Sequence, residues 1–268
     1  MDESIAYLGL IDEDDIVLDT AALALAALDH PDTDTCSHQR ILDGIAARLA
    51  EEGVGAIDDA ARAAVLARVI AGEHGFTGDR TSYDDPDNAD LLRVIDRRRG
   101  LPVSLSILYV AAARRIGWEA HALDVPGHVM VLVGDGSVPV IVDPFRDGMI
   151  VAPHAFAAIM AHAGGGDEQP AVRHVAAMPN RAVLVRLLNN QATRAEAAGR
   201  GRRALELYRR MTVFAPADGA AWWQRARLEL ADGDVSAARA SLGSMLEMTR
   251  DADVRARVNE TLSALATA

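Results

Sequence analysis

The apolar positions of this chain follow helical spacing first, turn β-rich after one central helix, and return to helical spacing up to the last residues. Ile41, Leu42, Ile45 and Leu49 share one face of SHQRILDGIAARLAEE, and Gly53 stands where that face ends. AALALAALDHPD is a shorter apolar stretch closed by a turn at Pro31, and DDAARAAVLARVIAGEHGF repeats the helical pattern through Ala64, Leu66, Val69 and Ile70. TGDRTSYDDPDNADL is polar and rich in turn residues, so it reads as a loop. A different grammar begins near Leu91. Pro102 occupies a first helical position, where a missing N–H costs nothing because a helix start leaves that donor unbonded anyway. SLSILYVAAARRI then supplies about three apolar turns, with two arginines near its end and Gly117 as its stop. The runs EAHALDV, HVMVLV, VPVIVDPF and DGMIVAP follow. One helix and then several strands is the α+β pattern.

Asp135-Gly136 lies between two apolar runs and is a strong hairpin signal, since both turn residues must adopt positive φ. A two-residue loop there predicts Gly134 facing Ser137 and His128 directly opposite Asp143, with Cβ atoms roughly 4.5 to 5.5 Å apart. On the other face Val129 would meet Val142, Val131 would meet Val140 and Val133 would meet Val138, a valine layer for a core. Pro139 removes one ladder donor and needs an edge or non-bonded position. A bulge would shift the register.

The stretch from Gly164-Gly165-Gly166 to Pro179 reads as a linker, and helical sequence follows it. Within that tail Ala192 and Ala226 stand 34 residues apart, as do Ala204 and Ala238, Tyr208 and Leu242, Met211 and Met245, and Leu188 and Trp222. With Pro216 just before the second unit, these are the small, bulky and proline positions of a TPR pattern, and RVNETLSALAT is expected to cap it. The expected organisation is a helical region over 1–88 packing on a core over 89–165, then TPR-like helices over 180–268. Trp222 is expected to pack between repeats, and Trp223 to stand in the groove as an anchor for a peptide.

Length and composition fit an ordinary soluble protein of two or three packed units: 268 residues, half apolar and a quarter charged. The net charge of −12 repels nucleic acid and anionic lipid. Against that balance Arg93, Arg97, Arg98 and Arg99 stand close together, able to grip a phosphate or carboxylate or to form a solvated, salt-bridged helix end. The single cysteine, Cys36, excludes an internal disulfide. The first residues are acidic where a secretory signal needs basic ones, and no apolar run reaches the roughly 18 residues of a membrane span, so a cytoplasmic protein is expected. The histidines form no metal-ligand spacing, and the glycine run lacks the Lys and Ser/Thr of a phosphate loop. No metal or cofactor is expected. Nothing in the pattern fixes an oligomeric state.

One further set of motifs carries chemistry: Gly75-Phe76-x-Gly78, Tyr83, Pro86-x-Asn88, Arg98-Arg99-Gly100-x-Pro102-x-Ser104-Leu105, Pro126-Gly127-His128 and Asp143-Pro144-Phe145. In this order, over about residues 20–155, they resemble the SirB-type transglutaminase-like family, whose usual extension is a TPR-like tail. The resemblance implies a papain-like core, in which a helix N-terminus presents a cysteine and an antiparallel sheet carries a histidine and an aspartate. His128 and Asp143 match those two positions. Pro102 falls where the cysteine belongs, and proline has nothing that can attack or ionise.

Three substitutes are open. Ser104 lies two residues on and so about 200° around the helix. Ser106 lies one turn beyond Pro102, and Cys36 stands at a helix start that would lower its pKa. Tyr83, Asn88 and Arg99 are expected either to line the cleft mouth or, for Asn88, to cap a helix starting at Ala89. The expected function is a non-catalytic module that binds a peptide or protein. The alternatives are an acyl-transfer enzyme (protease, amidase or transglutaminase) using Ser104 or Cys36 with His128 and Asp143, and a scaffold whose cleft is closed.

Overall fold

The computed structural model describes residues 3–134, 140–163 and 176–266. Its elements run α1 (Glu3–Leu10), α2 (Leu18–Ala27), α3 (Cys36–Glu52), α4 (Asp59–Ala67), β1 (Thr77–Gly78), α5 (Leu91–Arg97), β2 (Arg99–Gly100), α6 (Pro102–Arg115), β3 (Ala120–Val125), β4 (His128–Val133), β5 (Val140–Asp143), β6 (Met149–Ile150), α7 (Pro153–Ala163), α8 (Asn180–Ala197), α9 (Gly201–Phe214), α10 (Gly219–Ala231), α11 (Val235–Met248) and α12 (Ala252–Ala266). This is the α+β class that the sequence predicts. Two compact units form, one of residues 13–184 and one of 1–12 with 185–268. Most of the expected N-terminal helical region therefore shares a unit with the strands. The glycine run at 164–166 lies outside the described residues.

In the first unit α6 is the centre. A helix that is apolar all round has no face for water, and Pro102 through Ala113 are all buried. The helix packs against α2, α3, β3 and β4. Its last turn is tied down by arginines. Arg115 donates to Asp19, a buried carboxylate on α2, at 2.9 Å, and Arg114 donates to the Ala120 carbonyl and to Asn180 Oδ1, both at 2.8 Å.

The antiparallel sheet has the order β3-β4-β5-β6. Its register corrects the hairpin expectation: Val131 faces Val142, Leu132 faces Ile141 and Val133 faces Val140. Pairing has slipped by two positions, because residues 134–139 join the strands where a two-residue loop was expected. The Gly134 N–H turns to the Glu119 carbonyl at 2.8 Å, away from β5. An even slip keeps every side chain on its own face. The valine layer therefore survives, with Val129, Val131, Val133 and Val142 buried. The Asp135-Gly136 turn, Pro139 and the Val138 pairing lie outside the described residues.

The stretch expected to be all loop contributes a short parallel ladder, β1 on β2, in which Thr77 faces Arg99 and Gly78 faces Gly100. Asn88 does not cap a helix at Ala89. It lies within a 3₁₀ turn over Pro86–Ala89, and the cap of α5 is Asp90, whose carboxylate accepts the Arg93 N–H.

In the second unit the 34-residue offset is geometric as well as sequential. α9 and α11 begin and end 34 residues apart, and each follows a glycine in the left-handed region, Gly199 (φ 72) and Gly233 (φ 83). The small positions Ala192, Ala204, Ala226 and Ala238 are buried, as are Tyr208, Leu242, Met211 and Met245. Trp222 donates its indole N–H to the Pro216 carbonyl at 2.8 Å. Trp223 is not the open groove anchor expected. It is half-buried against the cluster of Ala226, Ala238, Leu242, Met245 and Val258, with the Arg257 guanidinium 5.4 Å from its ring centroid. The final helix covers it. Glu229 is fully buried between three helices. Its carboxylate accepts from Ser241 Oγ (2.6 Å), Arg225 Nε (3.0 Å) and Arg209 (3.4 Å), and Arg225 also donates to Thr212 at 3.0 Å.

Candidate functional site

The start of α6 is set by one backbone carbonyl. Leu101, in extended conformation, gives its N–H to Asn88 O at 3.0 Å, and Ser104 Oγ donates to the same oxygen at 2.7 Å. Asn88 is buried, and its amide nitrogen donates to Ser82 O at 2.7 Å. The loop before it is wound around Arg97, which reaches Asp79 at 3.3 Å and Asp85 at 3.1 Å. Asp79 also accepts the N–H groups of Ser82 and Thr81, and these backbone donors, Ser82 first, hold its pKa below the ordinary carboxylate value. Of the four arginines picked out in the sequence, Arg97 is thus the one with ion pairs among the described residues.

His128 opens β4 just after Gly127, whose φ of 73 closes the tight turn from β3. Asp143 ends β5. The observed register places the two on a diagonal of the sheet, not directly opposite, yet on one face and within reach of each other. The His128 Nε2 to Asp143 Oδ1 distance is 2.9 Å. The same Oδ1 accepts the Phe145 N–H at 3.0 Å, and Arg146 lies 3.6 Å from Oδ2. The aspartate side chain is 5% exposed and the histidine 22%. A carboxylate on Nε2 fixes that nitrogen as the N–H of the neutral ring and leaves Nδ1 as an acceptor. Phe145 stands edge-on to His128, with centroids 6.1 Å apart, and Tyr83 edge-on to Phe145 at 5.6 Å. A Cβ on Gly78 would lie 2.4 Å from the Phe145 carbonyl oxygen, so only glycine lets β1 pass this shelf. Ser106 Oγ donates to Val129 O at 3.4 Å and brings the second turn of α6 against the start of β4.

His128, Asp143 and Tyr83 are therefore gathered around Phe145, which the sequence reading left without a role although it belongs to the Asp-Pro-Phe motif. Pro102 is the buried first residue of α6. Neither serine offers a hydroxyl to His128, because each gives its proton to a backbone carbonyl. Cys36, the first residue of α3, is exposed. The expected lowering of its pKa does not occur: Asp34, hydrogen-bonded to the thiol and negatively charged, pushes it above the ordinary cysteine value. Arg99 is exposed on β2 and has no ion-pair partner among the described residues. Tyr109, also missed in the sequence, is buried beneath this region. Its hydroxyl has no hydrogen-bond partner among the described residues, and burial raises its pKa, with the charges of Asp147 and Asp143 adding to the effect. Among the described residues no group of three or more His, Cys, Asp or Glu is set to hold a metal ion.

Residues 37–189, more than half of the chain, match the transglutaminase-like superfamily. A UPF0162 protein of Xylella fastidiosa (strain 9a5c) is 27% identical over 244 residues, spanning 90% of this chain and 87% of that one. A UPF0162 protein of Vibrio cholerae serotype O1 is 30% identical over 132 residues, about half of each chain. F-box only protein 21 of Mus musculus is 31% identical over 70 residues, 26% of this chain and 11% of that protein.

Proposed function

The chain belongs to the transglutaminase-like superfamily, and from that premise we propose that it is a non-catalytic member whose His128–Asp143 site binds a peptide or protein segment. The finer reading is a SirB-type protein with a TPR-like tail that offers a second contact surface, acting in the cytoplasm. Among the described residues no helix is long and apolar enough to cross a membrane. The observation that carries the proposal is the state of the helix start. Position 102 bears a proline, and the two nearby hydroxyls are spent on Asn88 O and Val129 O. An imidazole oriented by a carboxylate, with no nucleophile to deprotonate, remains a good acceptor for an amide N–H at Nδ1. Phe145 and Tyr83 supply an aromatic shelf beside it, of the kind that anchors bound segments. The same geometry speaks against acyl transfer through Ser104. Cys36, held in its thiol form by Asp34, is a poor nucleophile. The test is turnover of a panel of amide and ester substrates by the purified full chain. No turnover beyond that of His128→Ala is expected. Hydrolysis or transfer abolished by His128→Ala would overturn the reading.

A further inference from the structure

Arg98 is a half-buried arginine at the end of α5 with no ion pair among the described residues, and nothing in the His128–Asp143 site uses it. It closes α5 in the left-handed region (φ 57, ψ 25), a backbone state that favours glycine and that side chains adopt at a cost. Its guanidinium is half-buried, lies 4.4 Å from the ring centroid of the fully buried Phe76, and has its Nη1 sealed from solvent without a hydrogen-bond partner. No carboxylate among the described residues stands within ion-pairing distance of it. The chain has 39 acidic residues against 27 basic ones, so an acid could readily have been placed there. The two carboxylates that act on this region are already engaged: Asp96 accepts from His38 at 2.9 Å, and Glu73 accepts from Arg48 at 2.7 Å. A half-buried cation without a counter-charge is expensive, and so is a sealed donor without an acceptor.

We propose that Arg98, packed on the segment that carries His74 and Phe76, forms a binding site for a small oxyanion, the phosphate or carboxylate group of a ligand. The planar fork of arginine matches either group, and Phe76 holds that fork flat. The Thr77 N–H donates to the Arg98 carbonyl at 3.0 Å, so the segment carrying His74 and Phe76 is fixed to the residue that would grip the anion. His74 is half-buried. Its pKa is lowered first by desolvation and next by the charge of Arg98, with Arg48 adding to that and Glu73 opposing it. An anion on Arg98 removes the repulsion and adds an attraction, so binding should draw a proton onto His74.

The proposal goes beyond the peptide-binding reading and does not depend on it. The experiment is isothermal titration of the full chain with inorganic phosphate, and separately with acetate, in two buffers of different ionisation enthalpy. Saturable binding is expected, with proton uptake at pH values just above the depressed titration range of free His74. Arg98→Met should weaken it by at least about tenfold, since a charge-assisted contact is lost, and Arg98→Lys by less. His74→Ala should abolish the proton uptake that accompanies acetate, an anion that does not itself titrate in that range, while leaving weaker binding. Binding of acetate as well as phosphate points to a carboxylate source, and of phosphate alone to a phosphate source. No saturable heat with either anion, or equal binding by Arg98→Met or by a folded Arg98→Lys lacking the fork, overturns the proposal.

Discussion

Pro102→Cys, made in a chain that also carries Cys36→Ser, is expected to give a thiol that ionises about two pH units or more below Cys36 in the unaltered chain. Position 102 opens a helix of 14 residues. Thiols at helix N-termini or beside an imidazole have pKa values of roughly 3.5 to 7.5, so such a group is largely thiolate at neutral pH. An ordinary thiol ionises well above neutral pH, and Asp34 pushes Cys36 higher still, which leaves about three parts in a hundred or less as thiolate. The backbone should accept the change, because the first helical residue has a free N–H in any sequence. Position 102 is buried, so the comparison is read without a reagent, from the ultraviolet absorbance of the thiolate as the pH is raised. His128→Ala in the same chain should remove a large part of the lowering. Equal titration midpoints at the two positions would mean that the start of α6 does not look toward the imidazole.

Glu229→Ala is expected to destabilise the unit of residues 1–12 and 185–268 by about 3 kcal/mol, the lower end of the range for breaking a buried ion pair. The carboxylate is fully buried and receives Ser241, Arg225 and Arg209. Its removal strands a buried hydroxyl and leaves the arginines without their counter-charge. The lower end applies because those arginines keep 25% and 50% of their side-chain exposure and can turn to water. Glu229→Gln, which retains an acceptor for Ser241, should cost less. Trp222 and Trp223 both lie in this unit, so their fluorescence during denaturant unfolding reports the change. A loss under about 1 kcal/mol would class the cluster with ordinary surface pairs.

Much of this architecture can be read from residue pattern because the pattern is forced by packing. α6 is legible because a stretch apolar all round, with proline at its start and glycine after its end, has few alternatives to a central helix. The tail is legible because Ala192 and Ala226, and Ala204 and Ala238, recur at a 34-residue offset and all four are buried. His128 and Asp143 are legible as a pair even though the register slips. Side-chain direction alternates along a strand, and a slip of two leaves both on the same face. The slip itself is hidden, because turn chemistry at Asp135-Gly136 suggests a short loop and nothing nearby counts the residues of a longer one.

Other features depend on contacts that local pattern does not encode. β1 and β2 are two residues each, too short to leave a periodic trace, and are held by the Arg98 carbonyl and the Phe145 shelf. Asn88 misleads because it resembles a cap, while Asp90, two residues on, performs that role. Cys36 misleads because the field of a helix start is overridden by one adjacent aspartate. Tyr109 and Phe145 look like ordinary core aromatics until the Asp143–Gly148 turn, which carries Phe145, is laid against Tyr109.

The measurement that bears most directly on a nucleophile-free site is exposure of the unaltered full chain, and of His128→Ala, to a fluorophosphonate and to iodoacetamide at neutral pH, with every adduct mapped by mass spectrometry. Ser104 and Ser106 should stay unlabelled, and Cys36 should be alkylated slowly and at the same rate in both chains. An adduct on either serine, or a Cys36 adduct that disappears with the imidazole, would contradict the account.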